Sequence, residues 1–240
     1  MNKPFEELDY QKTDRGDLIL RRRKFPMLDD KIVYEVILGQ EFLMSSLFHA
    51  AEDALSHLGI KELLPTEQPL DIIVGGLGLG YTAAAALEHP EVGKLTVVDI
   101  FPELIGWHEQ GLVPLGEQLT ADPRCQFLQA DFFACAEGSG FHPDAPDSKV
   151  DAVLLDIDHT HDFWLHPDHA GFYSEKGLAQ LSSHLRPRGV FAMWADGKPK
   201  DEFIQLLAKV FPEARGELIT FDNPLQGGQS YGTVYLARRA

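Results

Sequence analysis

The stretch "DIIVGGLGLGYTA", residues 71–83, decides the fold. An apolar run ends in four glycines, Gly75, Gly76, Gly78 and Gly80, and passes into an alanine-rich helix pattern. Glycine weakens any regular element it occupies, so this concentration needs a reason. A strand that turns sharply into a helix needs positive φ, and a backbone stripped of Cβ atoms lets N–H groups approach a ligand closely. The stretch reads as strand, close-approach loop and helix.

Outward from it, strands and helices alternate to the end of the chain. Strands are expected at "DIIVGG", "KLTVVDI", "CQFLQAD", "VDAVLLDID" and "GVFAMWA", and helices over 80–89, 102–117, 174–186 and 200–210. Short continuous apolar strands between helices mean a parallel sheet covered on both faces. "GELITF" and "GTVYLARR" then follow the last helix as a pair joined by the loop "DNPLQGGQS". Upstream, residues 17–38 read as a hairpin, "DLILRRRKF" and "KIVYEVIL" around a turn near "PMLDD". A helix "EFLMSSLFHAAEDALSHLG" closed by Gly59 is expected next, then a linker at "LLPTEQPL". This divides the chain into a β-hairpin and helix region, 1–64, and an α/β domain, 65–240.

The 240 residues are 44% apolar, enough for a sizeable core, and carry a formal net charge of −16. That charge excludes nucleic acid as the expected partner, because phosphate contacts need Lys and Arg. It suits a cationic ligand or plain solubility. Cys125 and Cys135 make no disulfide framework. The acidic start "MNKPFEELDY" does not resemble a signal peptide, and no apolar run reaches membrane-span length, so a cytoplasmic protein without membrane contact is expected. The basic run Arg21, Arg22, Arg23 and Lys24 is expected on a solvated hairpin edge.

In open α/β sheets, ligands bind beyond the carboxyl ends of the strands. Asp99 ends the second strand of the α/β domain, where a carboxylate can accept both hydroxyls of a ribose; Asp131 ends the third, with Phe132 beside it, and suits an adenine ring. Capping and solvation are the plain alternatives for both acids. Read as Gly78, Gly80 and Ala83, the loop fits a dinucleotide fingerprint; read as Gly76, Gly78 and Gly80, it fits the loop of S-adenosylmethionine-type transferases. The terminal strand pair favours the second. It predicts a Rossmann-like class I methyltransferase fold, with a mostly parallel seven-stranded sheet, a C-terminal antiparallel strand and a small N-terminal β-hairpin region.

From about residue 30 onward the chain resembles the spermidine synthases, the aminopropyltransferase branch of that fold. The resemblance rests on "IIVGGLGLG", "VVDIFPELI", "QADFFA", "VDAVLLDID", "FYSEKGLAQLSSHLRPRGVFAMW" and "NPLQGGQSYGTVYLA", in that order. It implies a sulfonium donor, S-adenosylmethionine or its decarboxylated form, held by Gly76, Gly78, Gly80, Asp99, Asp131 and Phe132, and a small amine acceptor. It also implies that "VDAVLLDID" delivers the catalytic acid, Asp156. The chain departs from the family in a short N-terminal β region and in three further places. Leu79 stands where the donor loop carries an Asp. The paired acids are Asp156 and Asp158, followed by His159, where the family has D-x-x-D and Pro. His49 and Glu52 lie in the helix of the acceptor motif without matching it, and no role is carried over to them.

The chemistry suits two acids. Attack on a carbon beside a sulfonium needs alignment and removal of a proton from the amine. Asp156 is the candidate base; Asp158 would point to the same side if the strand persists and could orient the acceptor. His159, His161, His166 and His169 match no common zinc spacing, and no metal is expected. The loop that carries them suits a gate, with Phe163, Trp164 and Phe172 shutting out water or lining the acceptor pocket. Methyl transfer to an unknown acceptor, a nicotinamide-dependent oxidoreductase and a non-catalytic nucleoside-binding module are the alternatives. Pairing of the hairpin with a partner's edge would make a homodimer.

Overall fold

The computed structural model describes residues 4–240. Four antiparallel strands open the chain: β1 (Phe5–Thr13), β2 (Gly16–Phe25), β3 (Lys31–Leu38) and β4 (Glu41–Ser45), in the order β1-β2-β3-β4. Period-two alternation puts Leu18, Leu20, Val36 and Leu38 on the inner face, fully or almost fully buried. The basic run lies on β2, a central strand, not on an edge. Arg21 Nε and Arg23 Nη2 each lie 2.7 Å from a carboxylate oxygen of Glu35, which is 1% exposed, and Arg22 pairs with Glu6. Arg21 faces Glu35 directly across the ladder and Arg23 follows on the same face, so one buried acid takes two guanidinium groups.

The expected long helix is shorter at its start. Its first residues form β4, because pairing with β3 satisfies their backbone groups; α1 then runs over Ala50–Lys61. It also passes through Gly59 and does not stop there. A Cβ at Gly59 would lie 2.7 Å from Leu154 Cδ2, so the glycine marks where the helix touches the sheet.

That sheet has seven strands: β5 (Leu70–Gly75), β6 (Val92–Asp99), β7 (Cys125–Gln129), β8 (Val150–Leu155), β9 (Leu185–Asp196), β10 (Glu213–Asp222) and β11 (Gln229–Arg238). Their order is β10-β11-β9-β8-β5-β6-β7, and β11 runs antiparallel to both neighbours. The connecting helices are α2 (Tyr81–Leu87), α3 (Pro102–Glu109), α4 (Gly116–Ala121), the turn α5 (Phe132–Ala134), α6 (Glu175–His184) and α7 (Asp201–Ala208). The span expected as one helix over 102–117 is thus two, broken by a turn in which Gly111 takes φ +67°. Ile72 and Val74 face one apolar layer with α1 and α2, while Ile73 faces a second that includes Phe172, Phe191 and Phe203. The first layer also holds Leu18, Leu20, Val36 and Leu38, so the N-terminal sheet and the large sheet share one core. The strand order reverses between β5 and β8, and a crevice opens there at the strands' carboxyl ends. No helix of the described residues is long and apolar enough to cross a membrane.

Candidate active site

The glycine loop forms the floor of a cleft of about 980 Å³ open to solvent. Gly76 has φ +96°, and a Cβ there would lie 2.1 Å from the carbonyl oxygen of Asp156. Only glycine lets the turn after β5 pass so close to the turn after β8. Gly80, at φ +91°, precedes the first turn of α2; it does not itself line the cleft, whereas Gly76 and Gly78 do. His108 Nε2 lies 3.0 Å from the Gly78 carbonyl oxygen and props the loop from below.

Asp99 ends β6 and turns back to the loop. Its Oδ2 accepts from the Leu77 N–H at 2.8 Å and its Oδ1 from the Phe101 N–H at 2.9 Å. Burial pushes its carboxyl up to about 6 against those bonds, and each oxygen retains acceptor capacity toward the cleft. Asp131 does two jobs. Its Oδ1 caps α5 by accepting from the Phe133 and Ala134 N–H groups, and its Oδ2 lies 3.3 Å from Arg15 Nη2. Phe132 lines the cleft but is 2% exposed, wedged among Phe133, Phe141 and Phe172.

Asp156 is the first residue past β8. Its N–H donates to the Gly75 carbonyl, and its Oδ2 accepts from the Thr82 hydroxyl at 2.7 Å. Burial pushes its carboxyl up to about 6. Glu52, from α1, lines the same cleft and is 9% exposed. Burial, with the negative Asp156 beside it, pushes Glu52 up to about 8, while backbone N–H groups of Ala51 and Glu52 itself pull it down. The floor therefore carries two adjacent carboxyl groups, Glu52 buried and Asp156 half-buried.

Asp158 does not join them. The strand ends at Leu155, so the alternation that would bring Asp158 back to the cleft stops. Its carboxylate is 1% exposed and accepts from the Leu165 N–H, the Tyr173 hydroxyl and His169 Nδ1, at 2.7, 2.8 and 2.9 Å. It fastens the His-rich loop, and the wall of the cleft comes from His159, Leu165, His166 and His169. The expected gate aromatics are elsewhere: Phe172 is 1% exposed in the core, and Phe163 and Trp164 do not line the cleft. Among the described residues, His161, Asp162 and Glu202 approach one another as metal ligands could, away from the cleft; Lys200 already holds the Asp162 carboxylate.

Two residues with no expected role complete the wall. Arg15, at the tip of the β1–β2 hairpin, bridges Asp131 and His169, at 3.3 Å from each. Trp194 of β9 lines the opposite side. A guanidinium on a hairpin tip gives no signal in sequence, because which loop it meets depends on how two sheets pack.

The order in which the strands lie, with an antiparallel β11 inserted between β9 and β10, defines a class I methyltransferase fold, the one that spermidine synthases share. Comparison with known proteins agrees. The chain is 27% identical over 157 residues to polyamine aminopropyltransferase 2 of Pseudomonas aeruginosa; the match covers 63% of this chain and 42% of that protein, less than half the length of the relative. The crystal structure of spermidine synthase from Thermotoga maritima superimposes with a TM-score of 0.71 at 15% identity, covering 98% of this chain and 73% of that one. A spermidine synthase in complex with the transition-state analogue AdoDATO gives 0.73 at 15% identity, over 98% and 74%. No family model matches the chain.

Proposed function

We propose that the protein transfers an aminopropyl group from decarboxylated S-adenosylmethionine to a small amine. The observation that carries this reading is the adjacent carboxyl pair, buried Glu52 and half-buried Asp156, at the floor of the cleft. Two acids without a counter-cation favour ammonium and sulfonium groups and repel a carboxylated donor tail. In this reading Asp99 receives the ribose hydroxyls, Asp131 the adenine amino group, and Gly76 and Gly78 the sulfonium end. The amine nitrogen attacks the carbon bonded to sulfur, the C–S bond breaks, methylthioadenosine leaves, and the proton lost by the amine passes to Asp156. An acid that holds its proton up to about 6 can take that proton and return it to water. Its bond from Thr82 fixes which oxygen faces the substrate.

Methyl transfer from S-adenosylmethionine is the second reading. Leu79 favours it, being fully buried and offering no carboxylate to a donor amine. A thermal-shift series with S-adenosylmethionine, its decarboxylated form and methylthioadenosine, followed by mass spectrometry of products with putrescine, separates the two. Preference for the decarboxylated donor and an added aminopropyl mass support the proposal; binding of the carboxylated donor alone overturns it. A cytoplasmic homodimer, paired through an edge of the N-terminal sheet, is part of the same reading, and gel filtration with light scattering tests the dimer.

A further inference from the structure

Behind the cleft wall, the loop after β8 meets the start of α7, and His161, Asp162 and Glu202 gather there. His161 is the fixed member. Its side chain is 11% exposed and stacks on Phe203 of α7, with ring centroids 4.4 Å apart and planes at 14°. The backbone beside it is pinned: the His159 carbonyl accepts from the Asp196 N–H and the His161 carbonyl from the Trp164 indole N–H, each at 2.8 Å. Its Nδ1 is buried and has no hydrogen-bond partner. Burial pushes the imidazole pKa down, which favours the neutral ring that carries a lone pair. The ring nitrogens lie 3.9 Å from Asp162 Oδ1 and 3.8 Å from Glu202 Oε1, and one nitrogen and one oxygen from each acid all lie within 4.8 Å of one another.

We propose that His161, Asp162 and Glu202 bind one divalent transition-metal ion of the zinc class, which clips the loop to α7. One imidazole and two carboxylates are donors that zinc accepts, with water completing four. Tetrahedral zinc sets its ligand atoms about 3.4 Å apart, so these must close by about 0.4–1.4 Å. The acids can make that move, because Glu202 is 71% exposed and Asp162 is half-exposed, while the histidine stays in place. A cation already sits beside Asp162: Lys200 Nζ lies 2.8 and 2.7 Å from its two oxygens. The bonds from Lys200 and Thr160 hold the Asp162 carboxyl down at about 2, so it is ionised at any working pH. The Lys200 ammonium rides on a flexible, partly exposed stem and can swing into water when a dication arrives. The same loop gives His159, Leu165, His166 and His169 to the cleft wall, so the ion would stiffen that wall from behind, whichever donor the cleft takes.

The test uses the full chain stripped of metal and titrated with zinc against a chromophoric chelator, in millimolar magnesium to fill plain carboxylate sites. Wild type should bind one zinc ion per chain. His161→Ala and Glu202→Gln should each weaken that binding about tenfold or more, since the loss of an outer-shell partner alone costs as much. Lys200→Ala removes the competing ammonium and should tighten it about 2–5-fold. Zinc should also slow amide exchange over residues 160–166 in wild type and not in Glu202→Gln. Glu202 is an exposed side chain, so its variant reports on the site even if His161→Ala fails to fold. Absence of zinc binding in wild type overturns the proposal. So does zinc binding that Glu202→Gln and Lys200→Ala leave unchanged, because the ion then sits elsewhere on the acidic surface.

Discussion

The carboxylate proposed to deprotonate the amine should destabilise the empty protein, and replacing it should show this. Asp156 is half-buried, and desolvation pushes its carboxyl from 3.8 to about 6. A raised acid stabilises the fold while protonated, so its contribution is present below pH 3.8 and is lost as pH rises through about 6. Two pKa units correspond to about 3 kcal/mol. Asp156→Asn removes the charge and keeps an acceptor for the Thr82 hydroxyl. The variant should therefore be more stable than wild type by about 3 kcal/mol at pH 8 and by only about 1 kcal/mol at pH 4.5, with the difference opening between those values. Urea unfolding followed by circular dichroism at the two pH values measures it, and product formation should be lost in parallel. A variant less stable than wild type at pH 8, or a difference that does not grow with pH, refutes the claim that this acid is held unpaired for a substrate.

Four other outcomes follow from the same geometry. Gly76→Ala should lose about 2–5 kcal/mol of stability, because its Cβ meets the Asp156 carbonyl at a left-handed backbone position; a wild-type melting curve would contradict the close approach. Asp158→Asn should loosen the loop fastened by Leu165, His169 and Tyr173, costing about 2–4 kcal/mol; faster amide exchange over 160–172 and a rise in KM larger than the fall in kcat are the readouts, and a pure kcat loss would return Asp158 to the chemistry. Arg15→Ala should free the Asp131 carboxylate for the adenine amino group and tighten methylthioadenosine binding about 2–5-fold; weaker binding would mean that Arg15 is itself a wall of the nucleoside site. Asp99→Asn should weaken methylthioadenosine binding about tenfold or more, since both the ribose contact and the Leu77 N–H anchor depend on that carboxylate; equilibrium dialysis reads it directly, and intact binding would remove Asp99 from the donor site.

What the sequence made legible follows the range over which each signal acts. The glycine loop is local: Gly76 and Gly80 need positive φ, and that need is written at the position itself. Asp99 is legible because it is the last residue of β6, and Asp131, two residues past β7, because it caps the turn that follows; both line the cleft. The place of Asp158 is not legible because the period-two rule lasts only as long as the strand, and no residue between Leu155 and Asp158 announces where the ladder stops. The stretch 41–45 is ambiguous for a related reason: its apolar spacing serves a helix or a strand, and the partner that decides, β3, acts through hydrogen bonds a single stretch does not show.

Glu52 enters the sequence reading only through the resemblance, which places it in the helix of the acceptor motif without a role. An acid within the apolar face of α1 looks like an ordinary N-terminal turn acid, favoured there by the helix dipole. The glycine that looked like the helix's end is what gives that acid its partner. With a side chain at position 59 the helix could not lie against Leu154, and Glu52, two turns back, would sit farther from the end of β8. A mid-helix glycine costs about 1 kcal/mol, and two adjacent carboxyl groups, one of them buried, cost more. Both costs are placed where they bring one negative group from α1 to another beyond β8, so the packing of this helix and the charge of the cleft are a single feature of the fold.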